Sequence, residues 1–158
     1  MAGQGARFGN KFKPFLAIDG DTFIEAAVVP FRSVASSISR FVFVYLESQE
    51  QEFQVSRRLA AMFAGLPFEV VLLSTPTRGP AETIGLAVDK LGATGAAFIC
   101  DCDHALDVKP LFDAVAQRTP YDVLLPVWPL DDEDVASWSV ARVDAGRVTA
   151  IGEKEVPR

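Results

Sequence analysis

The chain has 158 residues, 49% hydrophobic, 23% charged and 10% aromatic, which is one domain's worth by length and enough to bury about 68–70% of the surface its unfolded chain exposes. That composition excludes a disordered tail, a collagen-like fibre and a disulfide scaffold, and apolar runs such as Phe41–Leu46 and Val70–Leu73 fall far short of the ~20 residues of a membrane helix. A net charge of −6 argues against nucleic acid or an anionic membrane surface as the main partner.

Met1–Asn10 reads as a glycine-rich loop, Phe15–Ile18 as a short extended piece and Asp19-Gly20-Asp21 as a turn. No basic segment followed by an apolar run opens the chain, so no secretory signal is visible. Thr22 and Glu25 form a Thr-x-x-Glu capping box for a helix over Phe23–Val34, interrupted by Pro30. Arg40–Glu47 is a buried strand rich in Phe and Val, and Gln49–Ala64 a helix ended by Gly65 and Pro67. Phe68–Ser74 is a strand, Thr75–Gly79 a loop and Pro80–Leu91 a helix with proline in its first turn. Ala96–Cys100 is a strand, Asp107–Arg118 a helix and Asp122–Trp128 a strand. Ser137–Val143 and Arg147–Ile151 flank Asp144-Ala145-Gly146, a hairpin signal. Strands that alternate with helices and are apolar almost throughout predict an α/β fold with a mainly parallel sheet, the hairpin adding antiparallel strands.

In open α/β sheets ligands bind beyond the carboxyl ends of the strands, which singles out Gly3–Lys13, Thr75–Thr83 and Asp101–His104. In the first loop, glycines let backbone amides approach phosphate oxygens, while Arg7 and Lys13 supply positive charge. Residues 1–40 carry a balance of +2 against −8 in the remainder, which suits an anionic ligand at that end, although chance in a short window explains charge alone as well. The third glycine of a dinucleotide fingerprint is replaced by Phe8, and no Walker loop occurs. In the second loop, Gly79 precedes a helix whose first amides are free for an anion or a base edge; taken alone, a well-capped βα connection explains it better. In the third, Asp101 and Asp103 face the same way on an extended segment and suit Mg²⁺ beside a phosphate site. Helix capping is their competing role. Cys100, Cys102 and His104 make a poor zinc set, being three ligands at no standard spacing. Two cysteines two apart on a strand can hardly bond each other, so reduced thiols and a cytoplasmic setting are expected.

Ala2-Gly3-Gln4-Gly5-Ala6-Arg7-Phe8, followed by Lys13-Pro14-Phe15 and a helix opening Thr22-Phe23-Ile24-Glu25, resembles the signature of the sugar-1-phosphate nucleotidyltransferases, the family of glucose-1-phosphate thymidylyltransferase. The resemblance implies the three-layer, doubly wound nucleotide-diphospho-sugar transferase fold. It also implies Mg²⁺-dependent transfer from a nucleoside triphosphate to a sugar 1-phosphate, with release of pyrophosphate, for nucleotide-sugar and polysaccharide biosynthesis. By that resemblance Ala2, Gly3 and Gly5 hold the nucleotide, and Arg7 and Lys13 stabilise the transferred phosphate and the departing pyrophosphate. Gly79 and Thr83 meet base and sugar. Asp103 is a catalytic residue as the metal ligand, with Asp101 as helper, and Glu153 and Lys154 at the end of a strand meet the sugar 1-phosphate.

The competing readings are a glycosyltransferase of the same fold, a cytidylyltransferase acting on an alcohol phosphate such as phosphocholine, and a non-catalytic nucleotide-binding module of a larger protein. No Ser-His-Asp set or Gly-x-Ser-x-Gly elbow exists. Asp131–Asp134 reads as a solvated loop, and Trp128 and Trp138 as packing residues before sugar-pocket ones. Residues 1–158 are expected to form one nucleotidyltransferase-like domain. The family's first strand and its acceptor-side end are not represented, so a longer chain or a homo-oligomer is expected to complete it.

Overall fold

A computed structural model describes residues 11–92, 94–117, 122–130, 135–155 and 157. The chain divides into two compact units, Met1–Asp113 and Ala114–Arg158. The first opens on a 3-10 turn at Lys13–Phe15, followed by β1 (Ala17–Ile18) and β2 (Asp21–Thr22), which pair antiparallel. Asp19 and Gly20 make the tight turn between them, with φ of 48° and 98°. An Asp-Gly pair suits such a turn because both positions need the left-handed region.

Thr22 then caps α1 (Phe23–Val28) through the full capping box. Its hydroxyl accepts from the Glu25 amide at 3.3 Å, and the Glu25 carboxylate accepts from the Thr22 amide at 2.9 Å. Where one helix to Val34 was expected, α1 stops at Val28 and a 3-10 stretch, Val29–Ser37, continues around Pro30. Proline has no amide to carry the α-helical ladder onward.

β3 (Phe41–Leu46) leads into α2 (Glu47–Phe53) and α3 (Val55–Met62), and β4 (Phe68–Leu73) pairs with β3 in parallel from Phe41↔Phe68 to Leu46↔Leu73. Alternation along the two strands sorts the core. Phe43 and Tyr45, with Phe68, Val70 and Leu72, face Ile24 and Val28 of α1 and Val55 and Leu59 of α3. Leu46, Val71 and Leu73, with Val42 and Val44, face Ala87 and Leu91 of α4 (Pro80–Leu91). Helices thus cover both faces of a parallel pair, which is why its strands are apolar at every position but Glu69, which is exposed. Gly92 ends α4 in the left-handed conformation, φ 55°.

Residues 96–100 carry no strand ladder, nor do residues 122–130. The unit's last helix, α5, spans Lys109–Ala116 and runs into the second unit. That second unit is built on β5 (Ser139–Asp144) and β6 (Arg147–Glu153), an antiparallel hairpin turned at Ala145-Gly146 with φ of 46° and 76°. No helix among the described residues is long and apolar enough to cross a membrane.

Candidate functional site

Lys13 is held at the surface by buried neighbours. Phe12 and Pro14 on either side of it are buried, and the turn closes with the Phe15 amide donating to the Phe12 carbonyl and the Leu16 amide to the Lys13 carbonyl, both at 3.0 Å. From this turn the Lys13 ammonium forms an ion pair with Asp103, 90 residues away in the chain. The two side chains remain 32% and 26% exposed, so the pair contributes at most about 1 kcal/mol to stability.

Asp103 lies in a turn. Residues 101–104 close through the His104 amide and the Asp101 carbonyl at 3.5 Å, so the extended geometry expected to aim Asp101 and Asp103 the same way is absent. Asp101 instead places its carboxylate 3.7 Å from His104 Nδ1. Cys102 anchors the turn by packing against the first core cluster. Both cysteines are free. Desolvation first, then the carboxylate of Asp101 and the other neighbours, push the Cys100 thiol up to about 11. Burial likewise raises Cys102. Among the described residues no group of three or more His, Cys, Asp and Glu gathers to hold a metal. Mg²⁺ asks for less. It takes one or two carboxylates and fills the rest of its octahedron with water and phosphate oxygens, and here the carboxylate of Asp103 is turned to Lys13 and that of Asp101 to His104.

The loop before α4 is tied internally. Thr77 Oγ1 and Thr83 Oγ1 share a hydrogen bond at 2.7 Å, and both lie 3.2 Å from the Gly79 carbonyl oxygen, which accepts the proton left over. Thr83, expected at the nucleotide, spends its hydroxyl on holding this loop. The Glu82 carboxylate accepts from the Arg78 amide at 2.6 Å and from Arg78 Nε at 3.3 Å, and those two bonds lower its pKa. Gly79 has φ 171°, a backbone any residue adopts, and an added Cβ would meet no atom within 4 Å. Neither strain nor packing requires a glycine there. Gly79 offers no side chain to cap α4, so the first amides of a 12-residue helix face outward with its positive dipole end.

In the second unit, Glu153 ends β6 opposite Ser139 and accepts a hydrogen bond from its hydroxyl. Lys154 turns left-handed, φ 59°, and its amide donates to the Trp138 carbonyl at 2.9 Å. Gly152 makes that turn possible: a Cβ there would stand 2.2 Å from the Glu155 carbonyl oxygen. Arg142 closes the same corner by donating to the Pro157 carbonyl at 2.5 Å. Trp128 and Trp138 pack edge to face at 6.0 Å, yet keep 53% and 37% of their surface exposed.

Ala2, Gly3, Gly5 and Arg7 lie outside the described residues, as does the acidic run Asp131–Asp134. Sequence reasoning missed the residues that seat the Lys13 turn, Phe53 and Arg58. Only the aromatic pair Phe12 and Phe15 bracketing Lys13 hinted at them.

The family described as MobA-like NTP transferase domain matches residues 1–151. No curated protein matches the chain. Among solved structures, the nucleoside-diphosphate-sugar pyrophosphorylase from Vibrio cholerae RC9 is similar in fold, with a TM-score of 0.55 and 22% identity over 98% of this chain and 65% of that one. The chain thus spans just under two thirds of that protein's length.

Proposed function

Since this chain belongs to the MobA-like NTP transferase domain family, we propose that it joins a nucleoside triphosphate to a sugar 1-phosphate, releasing pyrophosphate. The single observation that carries the reading is the Lys13–Asp103 pair, a cation and a carboxylate from two motif loops meeting at one surface point. A sugar 1-phosphate oxygen attacks the α-phosphorus in line. The bond from that phosphorus to the oxygen bridging to the β-phosphate breaks, and pyrophosphate leaves with the electron pair. The attacking phosphate is already ionised, so no side-chain nucleophile is needed, and the protein's work is positioning and charge neutralisation.

Lys13 and Arg7 would meet the negative charge that moves onto the leaving pyrophosphate, with amides of the Gly3–Gly5 loop and Ala2 around it. Asp103, with Asp101 as helper, would hold Mg²⁺, which when bound would supply charge neutralisation at the phosphates. Gly79 and the amides opening α4 would take the base and ribose. Thr83 serves there by fixing Gly79. Glu153 and Lys154 would meet the sugar 1-phosphate. In this reading residues 1–158 act as one domain of the doubly wound, mainly parallel type. Its two free thiols suit a reducing compartment such as the cytoplasm.

The test is a pyrophosphate-release screen of ATP, GTP, CTP, UTP and dTTP against sugar 1-phosphates and phosphocholine, with and without Mg²⁺. Lys13→Ala and Asp103→Ala should each lower turnover by roughly 10²–10³, the loss of one preorganised charge-stabilising group, with thermal unfolding little changed. Near-normal turnover in either variant would sink the assignment. Nucleotide binding without pyrophosphate release would favour a sensing module.

A further inference from the structure

Lys13 stands between two phenylalanines, and both are seated on the same pair of helices. The Phe12 ring stacks on Phe53 of α2, 5.3 Å between centroids and 14° from parallel. Phe15 meets Phe12 edge-on at 5.0 Å and lies under the Arg58 guanidinium of α3, whose Cζ is 3.7 Å from the ring centroid. Between Phe53 and Arg58 the chain bends at Gln54, which is left-handed with φ 50°. The Glu50 carboxylate holds that bend, accepting from the Ser56 amide and hydroxyl at 2.9 Å each and from the Tyr45 hydroxyl at 2.8 Å.

We propose that Arg58 is a positioning residue for Lys13, and that the α2–α3 elbow is the device that aims the lysine; this rests on the role given to Lys13 above. A lysine side chain is a flexible four-carbon stem, so its ammonium stays near Asp103 only if the backbone beneath it is fixed. Phe53 pins the residue before Lys13 and Arg58 pins the second residue after it. The elbow sets the spacing between those two anchors, because one lies on each side of it. A guanidinium held over the face of a ring is directional, so Arg58 fixes where Phe15 sits, and with it the turn Lys13–Phe15. Arg58 is itself exposed, and truncating it opens no hole in the core. Its neighbour Arg57 reaches Gln54 instead, Nη1 to Oε1 at 3.4 Å, and serves as the internal control.

Two measurements test this. The first needs no ligand: acetylation of Lys13 by acetic anhydride, read by peptide mass spectrometry. Arg58→Ala should raise the rate roughly 2–5-fold, the range one exposed cation–π contact allows, while Arg58→Lys restores it and Arg57→Ala leaves it alone. The second is affinity for magnesium pyrophosphate by calorimetry. Arg58→Ala should weaken it by a similar factor in the wild-type background and not at all in Lys13→Ala, because the arginine acts only through the lysine. A merely structural role would lower the thermal midpoint and leave affinity per folded molecule unchanged. Unchanged acetylation in Arg58→Ala, or a loss of affinity that adds in full to that of Lys13→Ala, overturns the proposal. Failure of the wild-type protein to bind pyrophosphate counts against nucleotidyl transfer, and acetylation still decides the positioning role.

Discussion

Among the described residues of the first unit Tyr45 is the most buried aromatic, 0% exposed, yet its hydroxyl sits between Glu50 and Ser56. Burial pushes its pKa up to about 12 against whatever Ser56 does to lower it, with Glu50 adding to the rise. On Glu50, burial raises the carboxyl, but the hydrogen bonds from the Ser56 amide, Tyr45 and the Ser56 hydroxyl outweigh it, and the net pKa is lowered. The signs give stability at both ends of the pH scale. A lowered carboxyl contributes stability above its unfolded pKa of 4.5 and loses it as pH falls through the folded value. A raised phenol contributes stability below its unfolded pKa of 10.0 and loses it as pH rises toward 12. Tyr45→Phe should remove the alkaline dependence between those two values and cost about 1 kcal/mol at neutral pH, the net worth of one hydrogen bond, by urea denaturation at stepped pH. A wild-type alkaline slope that persists in Tyr45→Phe would assign it to another group. Nothing local in the sequence announces this cluster, whereas Lys13 and Asp103 were visible as members of two motifs. Their pairing with each other was not, since no short-range pattern links residues 90 apart.

At the level of elements, the capping box at Thr22, the helix Pro80–Leu91 and the hairpin over Ala145-Gly146 were readable because each rests on chemistry within about four residues. The helix expected over Gln49–Ala64 was not one helix. Its periodicity is sound on both sides, and Val55 and Leu59 fill the core four residues apart. The break at Gln54 has no glycine or proline to mark it. Tertiary bonds impose it: the Ser56 amide, which a continuous helix would give to a carbonyl four residues back, goes to the Glu50 carboxylate. A non-glycine residue in the left-handed region costs on the order of 1–2 kcal/mol. Gln54→Gly should therefore stabilise the protein by up to about 1 kcal/mol, part of the gain being offset by the greater freedom of the unfolded chain. The midpoint of urea unfolding should rise at unchanged slope. A fall would mean that the Gln54 side chain, not the bend, is what the elbow needs.

At the scale of the whole chain, the strands that form a ladder among the described residues are those whose partner is next in sequence order, β1 with β2, β3 with β4 and β5 with β6. The apolar runs at 96–100 and 122–128 show the same strand-like composition but have no ladder, since composition marks a segment and only a neighbour makes it a strand. Within the first unit, the two faces of β3–β4 support two different parts of the candidate site. The Lys13 turn sits on the first face, where Phe12 joins Tyr45, Val55 and Leu59. The Gly79–Thr83 loop leads into α4, which lies on the second face with Leu73 and Ala87. Leu59→Ala and Leu73→Ala should each cost about 2–5 kcal/mol, depending on how far the cavity collapses, but they should loosen different loops. Amide hydrogen exchange reports this directly. The Phe15 and Leu16 amides close the Lys13 turn, and the Thr83 amide closes the α4 start on Gly79. Leu59→Ala should speed exchange at Phe15 and Leu16 more than at Thr83, and Leu73→Ala should do the reverse, because opening is local where the packing is lost. Equal acceleration at all three amides in both variants would mean that the two faces open as one, and that the site's two loops share a single support.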